Sequence, residues 1–367
     1  MTEKLKFGLI VFIMLGILFP YSINCKDSMM SKQPSELKPD QHPKIQKAIM
    51  LHDEGKYSEA IEIYKELLTE NPDVPVIYYE ISFSFYANKD YENAAKYSRI
   101  GMEYDSELFP MLAVNLGNSL DNLGKAEEAI EIYKEALNHA AYSYILHFNL
   151  GVTYSGIEKL KEAKECFYKS AYLNPEHAST QFALSNIYSR QNLYIPTLLA
   201  SCRFLMLENN KERSKTALNN LNAILNSGIS AGENKEGKKT ISINVNSNSN
   251  DSSNPWSAAE LMLKLMISAD MDKPFSEFQK KKNALKDFFL FVSNQANVKS
   301  NKDDFSYRYY QKFFSDIKKN DYVDAATHLI LYQELDDVGR KWYSENQDKI
   351  NEFKEWMKKF TWPDEID

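Results

Sequence analysis

Apolar residues recur with helical spacing along the first two thirds of the chain, and the pattern itself repeats. The word EAIEIYKE at 59–66 returns at 128–135. Four stretches align around it: GKYSEAIEIYKELLTENP, KDYENAAKYSRIGMEYD, GKAEEAIEIYKEALNHA and EKLKEAKECFYKSAYLNP. The alignment sets Ala60, Ala94, Ala129 and Ala163 in one column, spaced 34, 35 and 34 residues apart. Leu116-Gly117 and Leu150-Gly151 repeat with the same step. A fixed period of this length marks an array of supersecondary units that bury their apolar faces against one another.

Each column has a physical reason. A small residue is needed where two helix backbones approach closely, an aromatic one turn on fills the gap, and Pro stands past a helix end because it cannot continue one. Ala60 with Tyr64, Ala129 with Tyr133 and Ala163 with Phe167 supply the second-helix pairs. Tyr78, Ile81, Ser82 and Phe85 supply the first-helix positions, as do Leu116, Gly117 and Leu120, and Leu150, Gly151 and Tyr154; Pro72 and Pro175 close two units. These residues resemble the tetratricopeptide repeat (TPR), with its Trp-x2-Leu-Gly-x2-Tyr, Ala-x3-Phe and Pro positions over 34 residues. The resemblance covers 41–210, with units at 41–74, 75–108, 110–143, 144–177 and a degenerate fifth at 178–210. That unit keeps Leu184, Ser185 and Tyr188 but carries Pro196 and Thr197 at the Ala column. Residues 211–227, with Ala217, Leu221 and Leu225 on one face, read as a helix capping the open end. The fold expected is all-α: a TPR superhelix followed by a separate helical C-terminal domain.

The resemblance implies a concave groove, lined by the first helix of each unit, that holds a peptide or a partner's helix. In the second unit YYEISFSFY has apolar residues to spare: Tyr78, Ile81 and Phe85 serve the core, leaving Tyr79, Phe83 and Tyr86 as a second stripe. That stripe meets a partner, the N-terminal segment or the C-terminal helices. Equivalent groove positions continue with Val114, Asn118 and Asp121, then Phe148 and Val152, then Phe182, Asn186 and Arg190. Some TPR proteins clamp a chaperone's C-terminal carboxylate with Lys, Arg and Asn. Asn118 and Asn149 suit that role, but Ile45 and Met111 stand where Lys is needed, which argues against it.

The N-terminus carries a different signal. Lys4 and Lys6 precede an unbroken apolar run at 7–19, shorter than the roughly 20 residues a spanning helix needs. It reads as the core of an export signal. Ser22-Ile23-Asn24-Cys25 then resembles the lipobox of bacterial lipoproteins, which implies lipidation of Cys25, although Asn24 departs from that pattern's small residue. The other reading is an uncleaved anchor with an incidental Cys. Residues 1–25 are thus a signal segment and 26–43, polar with three prolines, a tether. Cys166 and Cys202 form no C-x-x-C pair and read as buried thiols, the alternative being a disulfide between adjacent helices, since they lie 36 residues apart.

Residues 228–255 are rich in Ser, Asn, Gly and Lys and read as a flexible linker. Gly228-Ile229-Ser230-Ala231-Gly232 matches G-x-S-x-G, but a hydrolase elbow needs a strand before it and a helix after it. Residues 256–367 hold all four Trp, with helical periodicity at 258–269, 275–295, 305–319, 321–335 and 350–360. KNDYVDAA at 319–326 echoes NKDYENAA at 88–95.

Net charge of −7, with Lys and Arg interleaved among the acids, argues against a nucleic-acid partner, which needs a concentrated basic face. No His, Cys or carboxylate spacing suggests a metal, and no cofactor is expected. These features point to a non-enzymatic scaffold or adaptor, lipid-anchored in the bacterial envelope, binding a protein or peptide. Alternatives are an enzyme with its chemistry in 256–367 and a self-associating structural envelope protein.

Overall fold

The computed structural model describes residues 29–208, 211–233, 239–244, 256–294 and 304–363. Cys25 and the apolar run before it lie outside them. Helices come in antiparallel pairs at the expected period: α1 (His42–Asp53) with α2 (Tyr57–Glu70) and α3 (Pro75–Ala87) with α4 (Tyr91–Gly101). Next, α5 (Phe109–Asn122) meets α6 (Ala126–His139) where Gly117 and Asn118 face Tyr133. Then come α7 (Tyr144–Gly156) with α8 (Leu160–Leu173) and α9 (Ala178–Arg190) with α10 (Tyr194–Leu207). The single helix α11 (Lys211–Asn226) packs on the last pair.

One turn is used throughout. The residue between the two helices of each pair is left-handed: Gly55, Lys89, Gly124, Glu158 and Asn192 all have φ between 56° and 78°. In each, its N–H bonds the carbonyl three residues back and the next N–H reaches five back, as in Gly124 to Asp121 and Lys125 to Leu120. Gly takes this conformation freely and other residues at a cost of about 1 kcal/mol. The packing columns are equally regular. A Cβ on Gly117 would stand 2.3 Å from the Tyr133 ring, and one on Gly151 2.7 Å from the Phe167 ring. The fifth pair meets the same crossing with two small residues, Ser185 and Ser201, whose hydroxyls bond at 2.7 Å.

Within α5, after Asn115, the chain divides into two compact units. The first has its core at Ile45, Ala48, Tyr64, Leu67, Ile77 and Ile81. Its N-terminal stretch, expected as a tether, is bound along its described part. Met29 is buried and Lys32 forms a parallel bridge with Tyr104. The N–H groups of Met30, Lys32 and Ser35 donate to Met102, Glu103 and Asp73 carbonyls.

The second unit is organised around α10, whose residues from Ile195 to Met206 are all buried. It lies against α9 and α11 and also against α12 (Ser257–Ser268), α14 (Phe305–Lys319) and α15 (Val323–Ile330). The remaining helices are α13 (Glu277–Asn294), α16 (Asp337–Glu345) and α17 (Gln347–Lys359). The C-terminal helices therefore share one compact unit with the later repeats. Phe305 stacks on Tyr168 of α8 at 3.7 Å, and Tyr309 and Tyr310 bond the Ala171 carbonyl and the Gln181 side chain. Arg203 of α10 is wholly buried and is held without an ion pair to any described carboxylate. Its guanidinium lies 4.7 Å from the Phe313 ring and 5.2 Å from that of Trp362, and donates to the Pro175 carbonyl and the Met357 sulfur.

Three differences from expectation stand out. Within 228–255, residues β1 (Ile229–Glu233) and β2 (Lys239–Ile243) form an antiparallel hairpin, the one sheet among the described residues. It is closed at its base by Lys264, whose ammonium donates to the Asn244 carbonyl at 2.6 Å. Gly228, at φ +70°, leaves room for that contact, since a Cβ there would meet the same carbonyl at 2.6 Å. The periodic stretch 321–335 stops at Ile330 and gives way to a 3-10 turn, after which Asp336 caps an unanticipated helix, α16, by accepting the Gly339 N–H. The echo at 319–326 marks a turn of the repeat type between α14 and α15, with Asp321 left-handed and Tyr322 N–H bonding Ile317 O. It is displaced one residue from the match in letters. No helix among the described residues is long and apolar enough to cross a membrane.

Candidate functional site

The site is built from α7 and α9, the first helices of the fourth and fifth pairs. Phe148 and Val152 lie one turn apart on α7; Phe182, Asn186 and Arg190 lie one turn apart along α9. All five line one concavity of about 320 Å³, with Phe167 and Ile187 also in its wall and Ser155, Ser179 and Arg213 beside them. The sequence could place the five on helix faces. It could not nominate Arg213, which stands in the capping helix outside the repeats.

The wall is aromatic. Phe148 lies 5.7 Å from Phe167 and meets the His177 ring edge-on at 4.8 Å. Phe182 packs 5.0 Å from Phe204. Arg213 holds its guanidinium 5.3 Å above Phe182, donates to Ser179 at 3.1 Å and pairs with Glu208 at 3.1 Å. Arg190 pairs with Glu158, and the Asn186 carbonyl oxygen accepts from Asn220 of α11 at 3.3 Å. Burial, and then the charge of Arg213, holds the His177 imidazole below its ordinary pKa. The surface thus offers an apolar hollow with guanidinium and amide groups at its rim, suited to a bulky apolar side chain flanked by hydrogen-bond acceptors. Among the described residues, none from the C-terminal helices lines it.

The other expected positions are placed differently. Asn118 accepts the Tyr133 hydroxyl at 2.7 Å, fixing the ring that fills the Gly117 gap, and Val114 is buried. In the first unit Phe83 remains partly exposed, yet lies between Tyr79, 6.1 Å away and parallel, and the His52 ring at 4.7 Å. His52 is itself fixed by Tyr57 edge-on at 5.1 Å and by Ser84 at 2.8 Å. Tyr86 turns to Tyr91 of α4 at 5.4 Å. The stripe therefore finds part of its packing inside its own unit. Cys166 and Cys202 are free thiols, and burial pushes the Cys166 thiol up to about 12.

A family model agrees with the repeat pairs. A family model described as tetratricopeptide repeat matches residues 44–74, 112–138 and 144–177, which are the first, third and fourth helix pairs. No curated protein matches the chain. Similar solved structures include PilF of Pseudomonas aeruginosa, 15% identical over 75% of this chain and 97% of that one, with a TM-score of 0.43. A thermophilic TPR protein of Thermus thermophilus is 16% identical over 49% of this chain and 98% of its own, with a TM-score of 0.43. MamA of Desulfovibrio magneticus RS-1 is 18% identical over 48% and 99%, with a TM-score of 0.39. Helix pairs of the right period, a shared turn, small-against-aromatic crossings and the matching family model lead to one conclusion: the chain carries an array of tetratricopeptide repeats.

Proposed function

We propose that the protein is an exported, membrane-anchored adaptor of the bacterial envelope that captures a peptide segment of another protein. The apolar concavity between α7 and α9 carries the reading. It would take an aromatic or branched aliphatic side chain against Phe148, Phe167 and Phe182, while Arg190, Arg213 and Asn186 meet backbone carbonyls or a carboxylate. The reading is of a binder rather than an enzyme. Envelope placement is supported by the apolar run at 7–19 and the lipobox-like Ser22-Ile23-Asn24-Cys25.

Selection of displayed peptides on the folded protein tests it. Enriched peptides should share one bulky apolar residue, and Phe182→Ala should weaken their binding about tenfold or more. If Phe182→Ala and the wild type enrich the same peptides with equal affinity, the concavity is not the binding site.

One observation favours a second reading, self-association. Helix α12 turns its two charged residues inward: Glu260 and Lys264 are 6% and 4% exposed, while Leu261 and Leu265 are 41% and 43% exposed. Such a neutral leucine face can meet its own copy without desolvating a charge. Sedimentation over a concentration series should give a dimer that Leu261→Glu with Leu265→Glu returns to monomer; a wild type that stays monomeric throughout excludes this.

A further inference from the structure

We infer that residues 29–37 are a clamp rather than a tether, and that they hold the edge of the first unit directly against the surface of the bilayer carrying the N-terminal anchor. The inference rests on the reading above that Cys25 bears the lipid. Its structural part stands on separate observations. Met29 is buried at 6% exposure, and Leu37 packs on the core of the first unit. Between them, backbone bonds alternate in direction. Met30 N–H donates to Met102 O at 3.0 Å and Lys32 N–H to Glu103 O at 2.8 Å, while Asp105 N–H returns to Lys32 O at 2.9 Å. Ser35 N–H then donates to Asp73 O at 2.7 Å.

Side chains reinforce the backbone. The Lys32 ammonium pairs with Glu103 at 2.5 Å and lies 5.5 Å over the Tyr104 ring. The Tyr104 hydroxyl in turn donates to the Pro72 carbonyl at 2.9 Å and sits 3.0 Å from the Asp73 carboxylate. The segment thus joins the end of α4 to the turn between α2 and α3, and the chain is held to the first unit from Met29 onward.

Attachment at Met29 sets an upper bound on a distance. From Cys25 to Met29 is four residues, which span at most about 14 Å fully extended. Were the chain free as far as residue 37, the same bound would be about 40 Å. A lipid seated in the outer half of a bilayer therefore leaves the clamped edge, Met102 to Asp105 with Lys32, no room to rise beyond headgroup depth. The partner surface this implies is a lipid headgroup layer, and the first unit sits close to the membrane rather than at the end of a leash.

The test uses full-length, membrane-processed protein in phospholipid vesicles. Cys166 and Cys202 are replaced by Ala, and a dye is placed at Glu107→Cys, an exposed position two residues past Asp105. Nitroxide groups on the lipid headgroups should quench this dye strongly. An inserted Gly/Ser linker of about 20 residues between Ser28 and Met29, adding roughly 25 Å of mean span, should abolish most of the quenching. Amides of Met30, Lys32 and Ser35 should be protected from hydrogen exchange in both proteins, and lose protection in Met29→Asp with Lys32→Glu. Equal quenching with and without the linker, or free exchange of those amides in the wild type, overturns the clamp. The mass of the N-terminal peptide reads lipidation separately. An unacylated Cys25 removes the anchor reading, while the exchange pattern still reports on the clamp.

Discussion

Gly117 and Tyr133 show how much a single position decides. The glycine exists to admit the ring, and the ring's hydroxyl is fixed by Asn118 one residue along the same helix. Gly117→Ala places a methyl 2.3 Å from a wholly buried Tyr133 and should cost about 1–3 kcal/mol in urea unfolding. Gly156→Ala, where a Cβ meets nothing within 4 Å, should be neutral or gain about 0.5 kcal/mol. Equal effects at the two sites would remove the close-approach explanation. The small and aromatic columns are legible in the letters because their period is rigid. The role of Asn118 is not: the same helix face serves the concave side and the crossing, and only the side-chain rotamer chooses. Arg213 is hidden for another reason, since it reaches the site from an element with no partner in the repeat pattern.

Among the elements, α10 explains what looked like decay. Pro196 and Thr197 break the Ala column because this helix has no solvent face. The repeat helix α9 and the capping helix α11 flank it, and the C-terminal helices α12, α14 and α15 cover the rest, so it is apolar all round. Periodicity cannot reveal such a face, because an element covered on every side has no stripe. Arg203 is the exception within it, a buried cation held by rings, a sulfur and a carbonyl. Arg203→Met keeps the stem's packing and removes a desolvated charge, so it should leave stability within about 1 kcal/mol or raise it. Arg203→Ala opens a cavity under Phe313 and Trp362 and should cost about 2–5 kcal/mol. Denaturant midpoints of the two variants decide whether the charge or the volume matters. The hairpin escaped notice for a similar reason: its strands are short and polar, and their closure depends on Lys264, which stands 20 residues beyond Asn244.

At the scale of the molecule, His52, His177 and His328 share one electrostatic condition. Burial holds each imidazole below its ordinary pKa, aided by Arg213 at His177 and by Lys282 and Lys286 at His328; Asp53, beside His52, pulls the other way, as does the bond His328 makes to the Asp324 carbonyl. The unfolded chain therefore binds more protons than the folded one below about pH 6.5. The stability contributed by these neutral rings is complete above that value and declines as pH falls through it. Unfolding free energies measured from about pH 7.5 down to about pH 5.5 should fall, and replacing all three by Gln should flatten the slope. A wild type whose stability is constant over that window contradicts the assignment.

A repeat array is ordinarily open to growth, since each unit asks of its neighbours only what every other unit asks. This one is open along part of its length. Between α6 and α7 the junction is repeat against repeat, with the same turns and crossings on either side, so a second copy of residues 110–143 inserted after position 143 should fold and lengthen the protein. Beyond α10 no such junction exists, because the helix that should offer the next seam is already enclosed by sequence that does not repeat. Lineages descended from this chain can change their reach by duplication, but only upstream of the fifth pair; downstream of it, novelty has to come one substitution at a time.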